Sequence, residues 1–320
     1  MVRLNYTRSS PGASQDRVPA GSQNHITSTV LEHAAQITLQ AGAAALFVYT
    51  EALAGQKWSP PQGLAERVFY VVKPSQQKKQ DPAAGHQIVQ VPEINLGRMD
   101  QVKIAVLAAL ARGLLKRGDT IACVTGAAQS GELDTIVVLQ IDKEFDLFFL
   151  DNTSLHLPPD INPGVLDKVV SLATEMAAEG REGVSRGTIL VVGDTDRVLS
   201  FSKQLIMNPF KGYGEDERNI LDPSLDETVK ELSAIDGAFV IRGDGVIERA
   251  GTYLQFASGL EVNLPPGLGA RHQAAAGITA VTRAIAVTVS QSTGTVSIFR
   301  NGIMLMEIER PHTAGSARRV

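Results

Sequence analysis

"MDQVKIAVLAALARGLLKRGDTIACVTG", Met99 to Gly126, carries both kinds of regular structure in one unbroken run. From Val102 onward the apolar residues return at spacings of three and four, the period of a helix that buries one face. Asp100 stands where a carboxylate can cap the first turn, and Gly118 supplies a stop. Directly afterwards "TIACVTG" is a short continuous apolar run ended by glycine, as expected of a strand covered on both faces of a parallel sheet. The pattern recurs on either side. "TSTVLEHAAQITLQAGA" predicts an amphipathic helix with Thr27 or Ser28 as its cap, and "AALFVYT", "RVFYVV", "IVQVP" and "DTIVVLQI" predict further strands. Helices alternating with short buried strands define an α/β domain with a mostly parallel sheet.

At 320 residues the chain is long enough for two such domains. We expect a disordered tail over 1–24, a first α/β domain over 25–150, and a linker over 151–161. The linker lies in "DNTSLHLPPDINPG", which has prolines and no period. A second α/β domain with a mixed sheet is expected over 162–310, and a short tail over 311–320. In the second domain Leu166, Val169, Val170, Ala173 and Ala177 mark one helix face, and "GTILVVGD", "DGAFVI", "AIAVTVS" and "TVSIF" read as strands.

Composition narrows the function classes. Aromatic residues make up only 5% of the chain, too few for a base-stacking surface, and a net charge of −4 provides no broad basic field for nucleic acid or anionic lipid. The single cysteine, Cys123, lies inside an apolar run, which excludes an internal disulfide and a thiolate metal cluster. No apolar stretch is long enough for a membrane span or a signal core, so a cytoplasmic protein is expected. His25, His33, His86, His156 and His312 show no metal-binding spacing. No Walker A, G-x-S-x-G or dinucleotide glycine pattern follows a strand.

Three stretches could carry chemistry, and each also has an ordinary reading. Asp236-Gly237-Ala238 is either a turn or a carboxylate at a strand edge, where the missing Cβ of Gly237 lets a ligand approach the main chain. Arg271-His272-Gln273 opens an alanine-rich helix after Gly267 and Gly269. There, free N–H groups and the helix dipole attract anions, whereas without an anion basic residues oppose the dipole. "VSQSTGTVS", Val289 to Ser297, is either a hairpin or a hairpin whose Ser290, Ser292 and Thr293 hydroxyls reach a phosphate.

Taken in order, "DGA" (236–238), "GTYL" (251–254), "LGARHQAA" (268–275) and "VSQSTGTVSIFRNG" (289–302) resemble the diadenylate cyclases, the family with a DisA-type nucleotide-binding domain. "EGREGVSRGTILVVGD" and "NPFKGYGEDERNILDPSLDETVKEL" are similar to the leading segments of that domain in its archaeal-type members. "VLEHAAQITLQAGAAALFVYTEALAG" and "GLLKRGDTIACVTGAAQSG" resemble the C-terminal domain of pyruvate kinase. In pyruvate kinase a hydroxyl-rich loop after the first strand can hold a phosphorylated regulator. Here Thr50 to Gly55 offers one hydroxyl and an acid, so a scaffold or oligomer contact is expected of this domain.

The cyclase resemblance implies condensation of two ATP into cyclic di-AMP with Mn²⁺ or Mg²⁺. Asp236 would hold the metal and help activate a ribose 3′-hydroxyl, with Arg271 and His272 as catalytic phosphate-binding residues. Gly237, Ala238, Tyr253, Leu254, Gly269, Gln273, Ser290, Gln291 and Ser292 would complete the nucleotide site. One ATP per subunit implies a homo-oligomer with facing cyclase domains. The resemblance implies neither DNA nor membrane as a partner. Where the family has Arg-His-Arg and Ser-Glu-Glu, this chain has Arg271-His272-Gln273 and Ser290-Gln291-Ser292. A weakly active or inactive sensor of ATP or cyclic di-AMP, or an oligomeric scaffold, is therefore the alternative.

Overall fold

The computed structural model describes residues 20–53, 58–73, 87–91, 96–127, 130–141, 157–179, 187–255, 264 and 267–310. Residues 1–19 and 311–320 of the expected tails, and 151–156 of the expected linker, lie outside the described residues.

The first sheet has the order β3-β2-β1-β4-β5. Its strands are β1 (Ala45–Tyr49), β2 (Val68–Val72), β3 (Gln87–Gln90), β4 (Thr120–Thr125) and β5 (Thr135–Gln140). The first four run parallel, and β5 pairs antiparallel with β4. β1 and β2 are buried at every position, as their unbroken apolar sequences require, and Phe47 stacks on Phe69 across the pair at 5.1 Å. Helix α1 (Ala20–Gln40) packs on β1, β4 and β5, and α2 (Arg98–Ala111) on β3 and β4.

Local capping differs from the sequence expectation in both helices. Thr27 and Ser28 lie within α1, and the buried Thr27 hydroxyl instead accepts the Leu133 N–H at 3.1 Å. In α2 the N-cap is Gly97 and no side chain caps it. Asp100 is buried and bound to Lys103 at 2.9 Å. The helix ends at Ala111 and the chain reverses at Gly113 (φ +68°), ahead of Gly118. A left-handed glycine nearer the helix won that competition.

The second sheet has the order β12-β11-β10-β6-β8-β9-β7. It is formed by β6 (Thr188–Val192), β7 (Ser202–Gln204), β8 (Ala238–Ile241), β9 (Ile247–Leu254), β10 (Ile285–Val289), β11 (Val296–Arg300) and β12 (Ile303–Ile308). Only β6 and β8 run parallel; the other pairings are antiparallel, which makes the sheet mixed. Helix α3 (Pro163–Glu179) buries Leu166, Val169, Val170, Ala173 and Ala177 against this half. The short α4 (Thr195–Ser200) and α5 (Asp226–Leu232) follow, and α6 (Ala270–Val281) packs against β10, β11 and β6. Lys230 of α5 bonds to Glu175 and Glu179 of α3, each at 3.2 Å.

The two halves touch through α2. Arg112 pairs with Asp167 of α3, and the Lys103 ammonium donates to the backbone oxygen of Glu307 on β12 at 2.9 Å.

Candidate active site

A cavity of about 770 Å³ opens where the central strands of the second sheet end, within the usual range for a small-molecule site. Four segments far apart in the chain form most of it, the bend before β8, the end of β9, the head of α6 and the turn between β10 and β11, and Ile189, Leu205 and Glu307 complete the wall.

At the bend, Asp236 presents a carboxylate that is 91% exposed. Gly237 follows with φ +114°, and a Cβ there would lie 2.5 Å from Thr252 N and 2.6 Å from Gly251 C. The missing side chain is therefore first a requirement of β8 lying against β9, a nearer cause than ligand approach. Ala238 then begins the strand. On β9, Thr252, Tyr253 and Leu254 reach the cavity wall. Thr252 is buried and its Oγ1 has no partner.

Gly269 caps α6 with its backbone alone, and its carbonyl accepts the N–H groups of His272 and Gln273. Gly269, Ala270 and Arg271 line the cavity, so the positive end of the helix faces into it. The Arg271 guanidinium reaches Asp236 Oδ1 at 3.5 Å and Gln291 Oε1 at 3.3 Å, both long for charged contacts. His272 is 6% exposed, its ring lies edge-on to Phe299 at 6.0 Å, and its Nε2 has no partner. Burial holds the imidazole below the usual histidine range, with the Glu307 carboxylate acting in the opposite direction.

The turn after β10 is a hairpin, and it also lines the cavity. Gly294 N–H closes it onto Ser290 O at 2.9 Å, while Ser290 Oγ contacts Ser292 Oγ at 3.2 Å and accepts the Thr293 N–H at 3.3 Å. Ser290, Gln291, Ser292 and Thr293 all belong to the wall.

All but one of the residues singled out from the sequence border this one cavity: Asp236, Gly237, Ala238, Tyr253, Leu254, Gly269, Arg271, His272, Ser290, Gln291 and Ser292. Gln273 does not; it is exposed, one residue further along α6. Sequence reading missed three polar members, Thr252, Thr295 and Glu307. Thr252 was hidden inside "GTYL". Glu307 carried a usable signal, a carboxylate interrupting the apolar run "IMLMEI" of β12.

In the first domain, Glu51 at the end of β1 bonds to Lys73 at 2.6 Å. Thr50 donates to Val71 O at 3.1 Å. No helix among the described residues is long and apolar enough to cross a membrane.

Residues 175–304 match the family described as "DisA bacterial checkpoint controller nucleotide-binding", and residues 27–149 match "Probable sensor domain DacZ_P". A diadenylate cyclase of Methanocaldococcus jannaschii is 42% identical over 209 residues, covering 65% of this chain and 66% of that protein. One from Haloferax volcanii is 35% identical over 210 residues, covering 66% of this chain and 75% of that protein. Among solved structures, a hypothetical membrane spanning protein from Bacillus cereus aligns with TM-score 0.36 and 18% identity, covering 52% of this chain and 71% of its own. A double mutant of DacA from Staphylococcus aureus aligns with TM-score 0.29 and 23% identity, covering 47% and 87%. The assignment rests on the sequence relatives and the matched domain: the chain belongs to the diadenylate cyclase family.

Proposed function

We propose that the chain condenses two ATP molecules into cyclic di-AMP and two pyrophosphates. The observation that carries this is the convergence of Asp236, the Arg271-His272 helix head and the Ser290 turn on one cavity, since these are the segments that carry the family resemblance. In each half of the reaction a ribose 3′-oxygen attacks the α-phosphorus of the other ATP. The new P–O ester bond forms as the bond to the β-phosphate breaks, and pyrophosphate leaves.

The residues divide this work by their chemistry. Thr252 Oγ1 and the main chain at Tyr253 and Leu254 bind the adenine edge at the end of β9. The free N–H groups at the head of α6 and the Arg271 fork take the phosphates. His272, whose burial favours the uncharged ring, donates one N–H from a ring nitrogen. Ser290, Ser292 and Thr293 close the triphosphate end with hydroxyls. Asp236 accepts from the attacking hydroxyl and orients it.

The family implies a divalent cation, Mn²⁺ or Mg²⁺. Among the described residues no three His, Cys, Asp or Glu converge, so a protein-built cage is missing; one exposed carboxylate, Asp236, suits a cation that arrives coordinated by the triphosphate. When bound, it supplies charge neutralisation on the phosphates. Each cavity holds one ATP, so two subunits face each other to bring a hydroxyl in line with the partner's α-phosphorus.

Incubation of the full chain with ATP and Mn²⁺, followed by chromatography, should yield cyclic di-AMP and pyrophosphate, with turnover that falls on dilution. The exposed Gln273 in place of an arginine, and Gln291-Ser292 in place of two acids, support a second reading as a nucleotide sensor. Calorimetric ATP binding without product at high protein concentration would establish it.

A further inference from the structure

The Arg271 guanidinium is held by few bonds for a group that must meet a phosphate in a fixed pose. Its contacts to Asp236 and Gln291, at 3.5 and 3.3 Å, are too long to fix it. What surrounds it is shape. Gly187 lies just before β6, opposite the turn that begins at Ser290, because its neighbour Thr188 pairs with Val289. A Cβ on Gly187 would stand 2.8 Å from Arg271 Nη1, 3.0 Å from its Cζ and 3.1 Å from Gln291 Cβ. The guanidinium therefore rests directly on the bare Cα of Gly187.

We propose that Gly187 is a positioning residue for the nucleotide: its missing side chain is the recess that aims the Arg271 fork into the cavity. The inference rests on the reading of Arg271 as a phosphate-binding group. It concerns the space above Gly187, since no left-handed conformation requires glycine at this position. The contrast with Gly237 makes the point. There a Cβ would strike backbone and the strand pairing would have to yield, whereas at Gly187 its tightest contacts are with the end of the flexible Arg271 side chain, which can move, and the Gln291 Cβ at 3.1 Å would have to give by only a few tenths of an ångström. A methyl group at 187 should thus leave the fold intact and turn Arg271 away from the site.

The test uses the full chain and an ATP analogue with a methylene bridge between the α- and β-phosphorus, which binds without turning over. Gly187→Ala should weaken analogue binding about 10- to 100-fold, the range expected when a charged hydrogen-bond pair is lost, with an unchanged melting temperature. Arg271→Ala should weaken it to a similar degree. Adding Gly187→Ala to Arg271→Ala should change affinity by less than about twofold, because the methyl group then has no guanidinium to displace. Unchanged affinity in Gly187→Ala beside a weakened Arg271→Ala would overturn the proposal while leaving the reading of Arg271 standing. Equal losses from Gly187→Ala in both backgrounds would overturn it as well, since the methyl would then act elsewhere. Full affinity in Arg271→Ala would remove the phosphate role of Arg271 itself, and the recess with it. Loss of the melting transition in Gly187→Ala would show a structural requirement and also overturn the proposal.

Discussion

The two sheets treat their polar groups in opposite ways. Where β1 ends, the first sheet uses its polar side chains on itself: Glu51 bonds Lys73, Tyr49 Oη donates to Gln101 O at 2.6 Å, and the Gln101 amide donates to Leu96 O and Gly126 O. Among the described residues of that region, the Thr125 hydroxyl is the buried exception. Around the cavity of the second sheet, Thr252 Oγ1 and His272 Nε2 are buried without partners, and Arg271 reaches Asp236 only at 3.5 Å. A buried donor or acceptor left unpaired costs stability, about 1–3 kcal/mol each. Two such groups, Thr252 Oγ1 and His272 Nε2, lie on one cavity, where a ligand would supply their missing partners, while Thr188 Oγ1 and Ser297 Oγ of the same sheet are buried and unpartnered away from it. The contrast can be broken by experiments that separate activity from stability.

The largest effect should come from Asp236→Asn. The carboxylate is almost fully exposed and supports no packing, so the variant should keep its melting temperature and lose turnover by roughly 10²–10³-fold, as for removal of one preorganised electrostatic contact. Unchanged production of cyclic di-AMP would remove Asp236 from the chemistry. The counterpart in the first sheet is Glu51→Gln. Lys73 is only 8% exposed, and losing its partner should lower stability by about 1–3 kcal/mol while analogue affinity stays the same. A lowered affinity instead would show that the first sheet does more than support.

A threonine pair sharpens the contrast at smaller scale. Thr252→Val replaces an unpaired buried hydroxyl by a methyl of the same shape. Without ligand it should be neutral or stabilising, and it should weaken analogue binding by about fivefold, the value of one neutral hydrogen bond. Thr50→Val removes a hydroxyl that donates to Val71 O and should cost about 1 kcal/mol of stability with no change in binding. Thermal melts with and without the analogue read both.

How far the sequence foretold these features follows from how local their causes are. β1, β2, β4 and β6 were legible because continuous burial leaves an unbroken apolar run, and the inward face of α3 because helical period survives in any window. β7 is three residues on a sheet edge, too short for any pattern, and β9 is interrupted by the half-buried Glu248 and Arg249 and by the left-handed Gly251 (φ +64°). The caps failed for two reasons: Thr27 was taken by the distant Leu133 N–H, a tertiary contact, and Asp100 lies inside the first turn, where it pairs with Lys103 of the same helix. At the site, the residues named from motifs do meet in one cavity, yet no motif contains Glu307, which enters from a strand after the last recognised segment. Gln273 shows the converse, since one step along a helix is enough to turn a side chain away from the wall.

The smallest predicted effect concerns the His272 imidazole, which burial holds below the ordinary histidine range. The unfolded chain therefore takes up a proton that the folded chain resists. The sign follows: the stability tied to this group is complete above the unfolded value near pH 6.5 and declines as pH falls from there through the lower folded value. Carboxylates titrate in the same acid range, so the quantity to measure is the difference between the parent and His272→Asn in melting temperature from pH 8 down to pH 5. The parent should lose more than the variant as the pH drops. Glu307→Gln sharpens this further. Its carboxylate opposes the depression, so removing it should push the folded value lower still and widen the window over which stability is lost. Parallel curves for parent and His272→Asn would mean that the ring ionises as readily in the folded chain as in the unfolded one, and that burial does not depress it.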